Sequence, residues 1–487
     1  MKKTVFLGID CGTQSTKAVL MDAGNEKLLA VGRADHEIVE RDDGTREQHP
    51  DWWIAALVDS VRSAVHEIGE VEVAGIGVSG QQHGMVCLDD AHQPVRAAKL
   101  WNDTTTQPQC DRLTAVLGGP EAVLELTGNA FLPGYTAPKV QWLLDNEPEA
   151  YHKTNYICLP HDYLNLWLTG TYGTEPGDAS GTAYFDARTR SYSSEVLGAI
   201  DGGRNWDETL PPLVDSLSII GRLRDEAAEA LRLPPGIPVS GGGGDNMCSA
   251  IGVGAVKPGP VVVSLGTSGT GFAYSSAPAV DPQGEAAAFC DSTGGWLPLV
   301  CTLNATGATE WVRRLFSVDR SEVEGALAGT DPGADGLVFL PHLGGERTPN
   351  HPSGAGAFAG LRTGHTPAHF VRAVVEGVTF GLRYALRALE RSGIRPQEVT
   401  LVGGGAGSEA WGQICADVFE LPVMRPEVEE AAAAGAALQA RAAAGHSPVS
   451  DWTPGISRRW EPVAHSAIKE TGAALDALRD AALERGF

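Results

Sequence analysis

A glycine-rich stretch near the middle of the chain, residues 240–271, has the sequence SGGGGDNMCSAIGVGAVKPGPVVVSLGTSGTG. A single acid, Asp245, follows four glycines, and an apolar run at 261–265 ends in a Gly-Thr-Ser-Gly turn. Glycine lets backbone N–H groups approach a ligand without a Cβ in the way, so turns of this kind can bind anions. An acid beside a phosphate-binding turn indicates phosphoryl transfer. An ordinary glycine-rich turn is the alternative that this stretch leaves open by itself.

The first half of the chain predicts a compact series of strands around one helix. Hydrophobic periodicity gives three strands, a helix and a fourth strand, at 5–9, 18–21, 27–31, 51–68 and 71–78. Two loops follow the ends of strands, one at 10–17 and one at 79–84. Because open α/β sheets bind ligands at the carboxyl ends of their strands, both loops are candidate ligand sites.

The second half repeats this order. It predicts strands at 260–265, 271–274, 296–301 and 400–402, with a long helix from Pro367 that Thr366 caps and Gly393 ends. Its glycine-rich loops lie at 266–270 and 403–408. Two such halves facing each other would put the Asp10 loop and the Gly266 loop on either side of one cleft.

Length and charge exclude several classes of protein. A chain of 487 residues exceeds the size of a single hydrophobic core, so two or more domains are expected. The formal net charge of −24 argues against nucleic-acid and anionic-membrane partners, because both require a basic face. A small anionic substrate would need donors arranged locally.

The eight cysteines show no C-x-x-C spacing, which predicts reduced thiols in a cytoplasmic protein and neither a disulfide framework nor a zinc site. The apolar run after Lys3 ends at Asp10, which is too short for a secretory signal. No segment has the apolar length of a membrane span.

The loop at 403–408 also has the outline of a dinucleotide-binding turn, which keeps an NAD(P)-dependent oxidoreductase open as an alternative. The Rossmann pattern G-x-G-x-x-G requires a third glycine where this chain has Ser408. The patterns G-x-x-x-x-G-K-[ST] and H-E-x-x-H are both missing from the sequence, which disfavours a Walker-type ATPase and a zinc protease.

Taken in order, the loops resemble those of the FGGY carbohydrate kinases, a family in the actin, Hsp70 and sugar kinase superfamily, and within it most closely the xylulokinases. The resemblance extends from residue 8 to the alanine-rich segment near 431. Its motifs lie at 8–13, 47–50, 80–84, 100–103, 136–143, 241–246, 264–269, 345–349, 356–361, 369–370, 373–376 and 403–408.

This resemblance implies an α/β protein of two ribonuclease H-like (actin-like ATPase) domains with a cleft between them. Residues 1–240 would bind mainly the sugar and residues 241–487 mainly ATP, each domain having a mixed five-stranded sheet. The implied reaction is ATP-dependent phosphorylation of D-xylulose to D-xylulose 5-phosphate with Mg²⁺, in a protein that could be a homodimer. Kinases for L-ribulose, gluconate or glycerol and a non-catalytic actin-like nucleotide binder remain open.

Phosphoryl transfer has a loose transition state, so a kinase must align the acceptor hydroxyl and neutralise the phosphoryl oxygens. By resemblance, Asp245 is the base that accepts the hydroxyl proton, and Asp10 organises Mg²⁺, through water. A helix N-cap is the alternative role for Asp245. Lys17 is interpreted as solvated surface. The residues implied for nucleotide binding are Thr13, Gly266, Thr267, Gly404, Gly405 and Ser408.

The sugar-binding residues implied by the resemblance are Gln82, His83, Trp101, Asp103 and Asn246. Trp101 offers an apolar face to sugar C–H groups, and Asp103 can accept hydrogen bonds from hydroxyls. By themselves His83 and Trp101 would more often be structural residues. Two positions depart from the xylulokinase pattern: Gln82 stands where Met is frequent, and Thr105 stands where Arg often follows Asp103 by two residues.

Overall fold

The computed structural model describes residues 2–486. The strands and helices of the first half are, in chain order, β1 (Lys3–Cys11), β2 (Ser15–Asp22), β3 (Leu28–Asp35), β4 (Val39–Glu40), β5 (Arg46–Gln48), α1 (Pro50–Ile68), β6 (Val71–Gly80), β7 (Val86–Leu88), β8 (Ala98–Lys99), α2 (Gln107–Val116), α3 (Pro120–Thr127), α4 (Thr136–Asn146), α5 (Pro148–Lys153), β9 (Tyr156–Cys158), α6 (Pro160–Thr169), α7 (Pro176–Ala179), β10 (Phe185–Asp186), β11 (Ser191–Tyr192), α8 (Ser194–Asp201), α9 (Trp206–Thr209), β12 (Ile219–Arg222), α10 (Asp225–Leu231), β13 (Pro238–Ser240), β14 (Gly243–Gly244) and α11 (Asp245–Gly252).

Those of the second half are β15 (Pro260–Leu265), β16 (Gly269–Ala273), β17 (Leu299–Thr302), α12 (Thr306–Leu315), α13 (Arg320–Gly329), β18 (Val338–Leu340), β19 (Ala357–Ala359), α14 (Pro367–Arg391), β20 (Glu398–Val402), α15 (Glu409–Phe419), β21 (Val423–Pro426), α16 (Ala431–Ala443), β22 (Ile456–Trp460) and α17 (Ser466–Arg485).

The first sheet has the strand order β12-β13-β6-β1-β2-β3, and the short strand β14 also pairs with β6. Strands β1, β2 and β3 form an antiparallel meander, whereas β1 and β6 are parallel. The register places Asp10 opposite Ser79, and β14 places Gly244 opposite Gly80. The sheet therefore brings the loops after β1 and β6 and the start of α11 to one edge.

The second sheet has the order β17-β16-β15-β20-β21-β22. Strands β17, β16 and β15 are antiparallel neighbours, and β15 pairs parallel with β20, with Ser264 opposite Val402. The pattern of antiparallel meander and parallel crossover is the same as in the first sheet. The repeat predicted from the order of strands and loops is therefore confirmed, and with it the α/β fold class.

The expectation of five strands in each sheet is wrong. The first sheet has seven strands and the second has six. Each has an additional antiparallel strand at its edge, β12 beside β13 and β22 beside β21, and the first also includes the short strand β14. Strand β22 exposes four of its five residues. An edge strand with so few buried side chains has no apolar run or alternation, so hydrophobic periodicity could not predict it.

Helix α16 belongs to the second half of the chain but packs on the first sheet. Phe6, Val19 and Met21 form one buried cluster with alanines of this helix. The approach to the sheet is close, because a Cβ built on Gly8 would lie 1.9 Å from Ala433 O. The helix is equally close to α11, because a Cβ on Gly435 would lie 1.8 Å from Cys248 O. Glycine is required at both positions because any side chain would overlap backbone atoms.

The division of the chain at residue 240 stays a prediction. Among the described residues, no helix combines the length and the apolar composition that crossing a bilayer would need.

Candidate active site

A cleft of about 1170 Å³ lies between the loop after β1 and the loop after β15. Asp10 and Thr13 line it from the first half of the chain, and Thr267 and Ser268 line it from the second. The expectation that these two loops lie on either side of one cleft is confirmed. The other residues lining the cleft include Lys17, Trp101, Asp103, Phe131, Glu346 and Arg347.

Asp10 lies near the end of β1, where Ser79 Oγ donates a 2.8 Å hydrogen bond to its Oδ1. Burial raises the pKa of Asp10 to about 6, and this hydrogen bond and the charge of Lys17 only partly oppose the rise. The Lys17 ammonium lines the same cleft and lies 2.5 Å from a carboxylate oxygen of Glu430. The interpretation of Lys17 as solvated surface is wrong, because its side chain is only 28% exposed.

Asp245 is the first residue of α11. Its Oδ1 accepts hydrogen bonds from the backbone N and from Nδ2 of Asn246, at 2.8 and 2.9 Å. Burial raises the pKa of Asp245 to about 8, and the charges of Asp10 and Asp178 contribute to the rise. Gly244 occupies the N-cap position of the helix, so the alternative of Asp245 as an N-cap is wrong.

Gln82 and Asn246 are in direct contact, as Asn246 Nδ2 donates a 2.9 Å hydrogen bond to Gln82 Oε1. Gln82 is only 5% exposed. Gly244 packs on it so closely that a Cβ there would lie 2.8 Å from Gln82 Cγ. Gln82 belongs to the loop at 79–84, which we call the sugar loop because it carries two of the predicted sugar-binding residues. Because Gly244 has no side chain, β14 can pack directly against this loop.

His83 has a backbone φ of 64°, in the left-handed region. Its ring packs edge-on against Tyr135, with 4.9 Å between ring centroids, and lies near Phe289. Burial lowers the pKa of His83 well below its ordinary value, and the charges of Lys139 and Arg347 lower it further. The imidazole is therefore neutral at physiological pH. It can accept a hydrogen bond at one nitrogen and donate one from the other.

Trp101 connects two groups of residues, on the same side of the cleft, that the sequence assigned to different substrates. Its indole Nε1 donates a 2.9 Å hydrogen bond to Thr13 Oγ1. The Thr13 hydroxyl, predicted to contact phosphate, is thus already an acceptor. It still has its own hydrogen to donate.

Asp103 is fully buried, and each of its oxygens accepts two hydrogen bonds. Arg46 N and Lys99 Nζ donate to Oδ2, both at 2.9 Å, and Thr105 donates to Oδ1 from its backbone N at 3.0 Å and its hydroxyl at 2.6 Å. Burial raises the pKa of Asp103, but the bonds from Thr105 and Arg46 and the charge of Lys99 lower it overall. Thr105, where the xylulokinase pattern often has Arg, therefore holds this carboxylate in place.

The loop after β15 is fixed by the start of α12. Gly266 O accepts hydrogen bonds from the backbone N and the hydroxyl of Thr306, and Thr267 O accepts one from Ala305 N. The loop after β20 lies beside it, because Gly403, with φ of 85°, approaches Leu265 so closely that a Cβ would lie 2.8 Å from its carbonyl oxygen.

The remaining residues implied for nucleotide binding lie in this second loop. Gly404 faces open space, and a Cβ there would meet no atom within 4 Å. Ser408 caps α15: its Oγ accepts from Trp411 N at 3.0 Å and donates to Glu324 at 2.6 Å. Of the predicted site residues, the cleft lining includes Asp10, Thr13, Trp101, Asp103 and Thr267. Among the described residues it does not include Gly404, Gly405 and Ser408, or Gly266, Gln82, His83, Asp245 and Asn246. Their roles stay predictions.

A buried polar floor under the sugar loop was missed at the sequence level. Glu175, Asp178 and His161 are fully buried there, and the His83 ring rests directly on Gly181. The segment 175–182 reads EPGDASGT, which is typical of an exposed turn. The only feature of this segment that could have indicated a buried site is its pair of acidic residues among small ones. This combination is too common in loops to predict one.

The carboxylate of Asp10, which lines the cleft, fits a magnesium ion that is held partly by phosphate. Mg²⁺ usually keeps several waters and takes one or two carboxylates together with substrate phosphates. Burial raises the pKa of Asp10, and it raises the pKa of Asp245 as well. The charge of Asp10 contributes to the rise at Asp245, so the two carboxyl groups lie near each other. Among residues 2–486, no group of three or more His, Cys, Asp or Glu side chains is arranged to hold a metal alone.

Comparison with known proteins gives a consistent result over almost the whole chain. Residues 5–252 match the N-terminal domain of the FGGY family of carbohydrate kinases, and residues 261–444 match its C-terminal domain. The chain is 42% identical over 448 residues to the xylulose kinase of Haemophilus influenzae, covering 91% of each chain. It is 39% identical over 496 residues to the xylulose kinase of Streptomyces rubiginosus, covering 99% of this chain and 98% of that one.

Among solved structures, a xyloylose kinase from Brucella ovis is similar at 35% identity with a TM-score of 0.91. The match covers 98% of this chain and 99% of that one.

Proposed function

The chain belongs to the FGGY family of carbohydrate kinases, and from this we propose that it transfers the γ-phosphoryl group of ATP to D-xylulose, giving D-xylulose 5-phosphate and ADP. The enzyme class is a phosphotransferase with an alcohol group as acceptor. The observation that supports the proposal is that Asp10 lines the cleft where the two halves of the chain meet, and that its charge acts on the buried carboxyl group of Asp245. The similarity to xylulose kinases along nearly the full chain supports the choice of sugar.

Asp245 acts as the general base on the sugar hydroxyl. A base is most effective when its pKa is near the working pH, and burial raises the pKa of Asp245 to about 8. Asn246 holds Oδ1 with two hydrogen bonds, which leaves Oδ2 available for the hydroxyl proton. The carboxylate therefore approaches the hydroxyl from a fixed position, as alignment with the γ-phosphate requires.

Asp10 would hold Mg²⁺ through water, while Ser79 fixes the other oxygen of its carboxylate. The bound ion would neutralise charge on the β- and γ-phosphates. Thr267 and Gly266, at the start of the loop fixed by α12, would supply backbone N–H groups to phosphate. Gly404, Gly405 and Ser408 would lie along the nucleotide farther from the γ-phosphate.

The sugar would lie against Trp101, with His83 and Gln82 beneath it. His83, which is neutral at physiological pH, can exchange hydrogen bonds with a hydroxyl without bringing charge near the developing alkoxide. Asp103 already accepts four hydrogen bonds, so it can bind a sugar hydroxyl only by giving up one of its present donors. Asn246 Nδ2 contacts both Gln82 and Asp245, and its amide oxygen would accept a hydrogen bond from a sugar hydroxyl.

The proposal keeps residues 1–240 as the part that binds mainly sugar and residues 241–487 as the part that binds mainly MgATP. The proposal places the protein in the cytoplasm, because all eight cysteines are free thiols and disulfides are rare in that compartment.

A coupled ADP-release assay with D-xylulose, L-ribulose, gluconate and glycerol tests the proposal. We expect the highest kcat/KM with D-xylulose. Preference for another acceptor would overturn the assignment of the sugar. ADP release at the water-only rate with every acceptor would overturn the kinase activity itself, and a change in nicotinamide absorbance would support the oxidoreductase instead.

A further inference from the structure

Four buried ionisable residues lie beneath the sugar loop and take no part in the reaction described above. They are His161 and Asp162 at the start of α6 and Glu175 and Asp178 at α7, and each is at most 1% exposed. His161 Nδ1 lies 2.7 Å from Asp178 Oδ2. Buried charged groups are costly unless they are paired, so their position directly under the sugar loop requires an explanation.

Hydrogen-bond direction is fixed along the contact chain that begins at the base. An ionised Asp245 can only accept, so Asn246 must turn Nδ2 toward it. The same Nδ2 lies 2.9 Å from the Gln82 amide, which must then present Oε1. This arrangement turns Gln82 Nε2, a donor, away from Asp245 and toward the buried residues below.

Gln82 Nε2 and Asp178 Oδ1 are complementary. Both atoms are buried, and neither has a well-formed hydrogen bond to any residue of the described range 2–486. Asp178 faces the Gln82 amide and the backbone N–H of His83, and both interactions lower the pKa of a carboxyl group that burial raises well above its ordinary value.

Asp178 is itself held rigidly. Its backbone N donates a 2.6 Å hydrogen bond to Glu175 Oε1, and the other Glu175 oxygen accepts from Ser216 Oγ at 2.6 Å and Ser292 Oγ at 3.0 Å. His161 secures the second Asp178 oxygen. The buried residues therefore form a fixed platform beneath the Gln82 amide.

We propose that Asp178 is a positioning residue for the base: its carboxylate holds the Gln82 amide, which holds Asn246, which holds Asp245. The inference rests on the proposed function, since it assigns Asp245 as the base. It gives Gln82 a second role besides contact with the sugar. An apolar side chain at position 82 would break the connection between the platform and α11.

A double-mutant cycle tests the connection. Asp178→Asn and Gln82→Met are each expected to lower kcat roughly 10-fold at saturating sugar and ATP, because small misplacements of a reacting group cost up to about 100-fold. The double variant should be no slower than Gln82→Met alone, because Asp178 acts only through the amide. Multiplied losses, near 100-fold, would overturn the proposal, and so would Asp178→Asn with the wild-type kcat.

If Asp178→Asn does not fold, Gln82→Met decides by itself. A raised KM for sugar with unchanged kcat means that Gln82 only binds substrate, which overturns the connection, whereas lowered kcat with little change in KM supports it. Asp417→Asn is the matched control, because Asp417 is a buried acid of α15 that accepts from Gln413 and Val463 far from the cleft. It should lower thermal stability without changing kcat per folded molecule.

The same cycle separates this inference from the proposed function. Wild-type protein without sugar-stimulated ADP release would count against the kinase reaction. In that case the Tm values of the two single variants and the double variant would be compared. Changes in Tm that are not additive support the contact between Gln82 and Asp178, and additive changes overturn it.

Discussion

The indole nitrogen of Trp101 donates a 2.9 Å hydrogen bond to the hydroxyl of Thr13. One residue belongs to the predicted sugar site and the other to the predicted phosphate site, so the two sites share a wall. Trp101→Phe keeps the aromatic face and removes this bond. We expect KM to rise for both sugar and ATP, each about 5-fold, since a hydrogen bond contributes roughly 1 kcal/mol. Steady-state kinetics with each substrate varied in turn would measure both effects.

The chain offers a matched control for this change. Trp411 Nε1, in α15, donates a 3.0 Å hydrogen bond to Thr379 Oγ1, in α14, within the hydrophobic core of the second half of the chain. Trp411→Phe removes the same kind of bond away from the cleft and should lower Tm with both KM values unchanged. A Trp101→Phe enzyme that loses affinity for the sugar alone would contradict the shared wall.

The pH dependence of the reaction should report the base. Asp245 accepts a proton only when ionised, so activity is lost as pH falls through its pKa of about 8. We expect kcat/KM to decrease about tenfold per pH unit below that value, and more steeply below the Asp10 pKa of about 6. A profile from pH 5 to 9 measures this. A flat profile down to pH 5 would show that neither carboxyl group is raised as described.

Asp245→Asn should remove activity and add stability. Loss of the base is expected to lower kcat by about 10²- to 10⁴-fold. The folded-state pKa of about 8 is above the ordinary value of 3.8, so the wild type loses stability as pH rises between these values, whereas Asn does not. Thermal denaturation at pH 8 should therefore give a higher Tm for Asp245→Asn. An equal Tm for both proteins at pH 8 would contradict the cost of burying this acid.

Alanine substitutions at two glycines should change the stability of the protein in opposite directions, because only one of these glycines packs against α16. A Cβ on Gly8 would lie 1.9 Å from Ala433 O, so Gly8→Ala should lower the free energy of unfolding by about 1–3 kcal/mol or more. Gly198 lies inside α8 with no atom within 4 Å of its Cβ position, so Gly198→Ala should raise that energy by about 0.5–1 kcal/mol. Urea denaturation compares them, and stability changes of the same sign would refute the packing argument.

Central strands could be predicted from the sequence because they are buried on both faces. Strand β15 occupies Pro260–Leu265, the residues of the predicted run at 260–265, since consecutive apolar side chains there have no other stable location. The long helix α14 begins at Pro367 as expected, with Thr366 N donating to His369. Edge strands such as β22 have no such constraint.

The candidate site could be predicted only as a set of loops. Asp10, Asp245 and Thr267 could be predicted because they lie in glycine-rich turns at strand ends. The residues that surround them in the folded protein are far away in sequence and could not be predicted. Glu175 accepts from Ser292, 117 residues later, and this contact is what turns an apparently exposed loop into a buried floor. No local pattern encodes such a contact, so the platform under Gln82 appears only in three dimensions.

The position of α16 also constrains how the chain can be made. The face of the first sheet that carries Phe6, Val19 and Met21 is completed only by alanines near residue 433. During synthesis the ribosome must therefore produce almost the entire chain before this face can be covered. The nascent chain therefore exposes an apolar sheet face through most of its translation. The first sheet cannot complete its packing until the residues of α16 leave the ribosome.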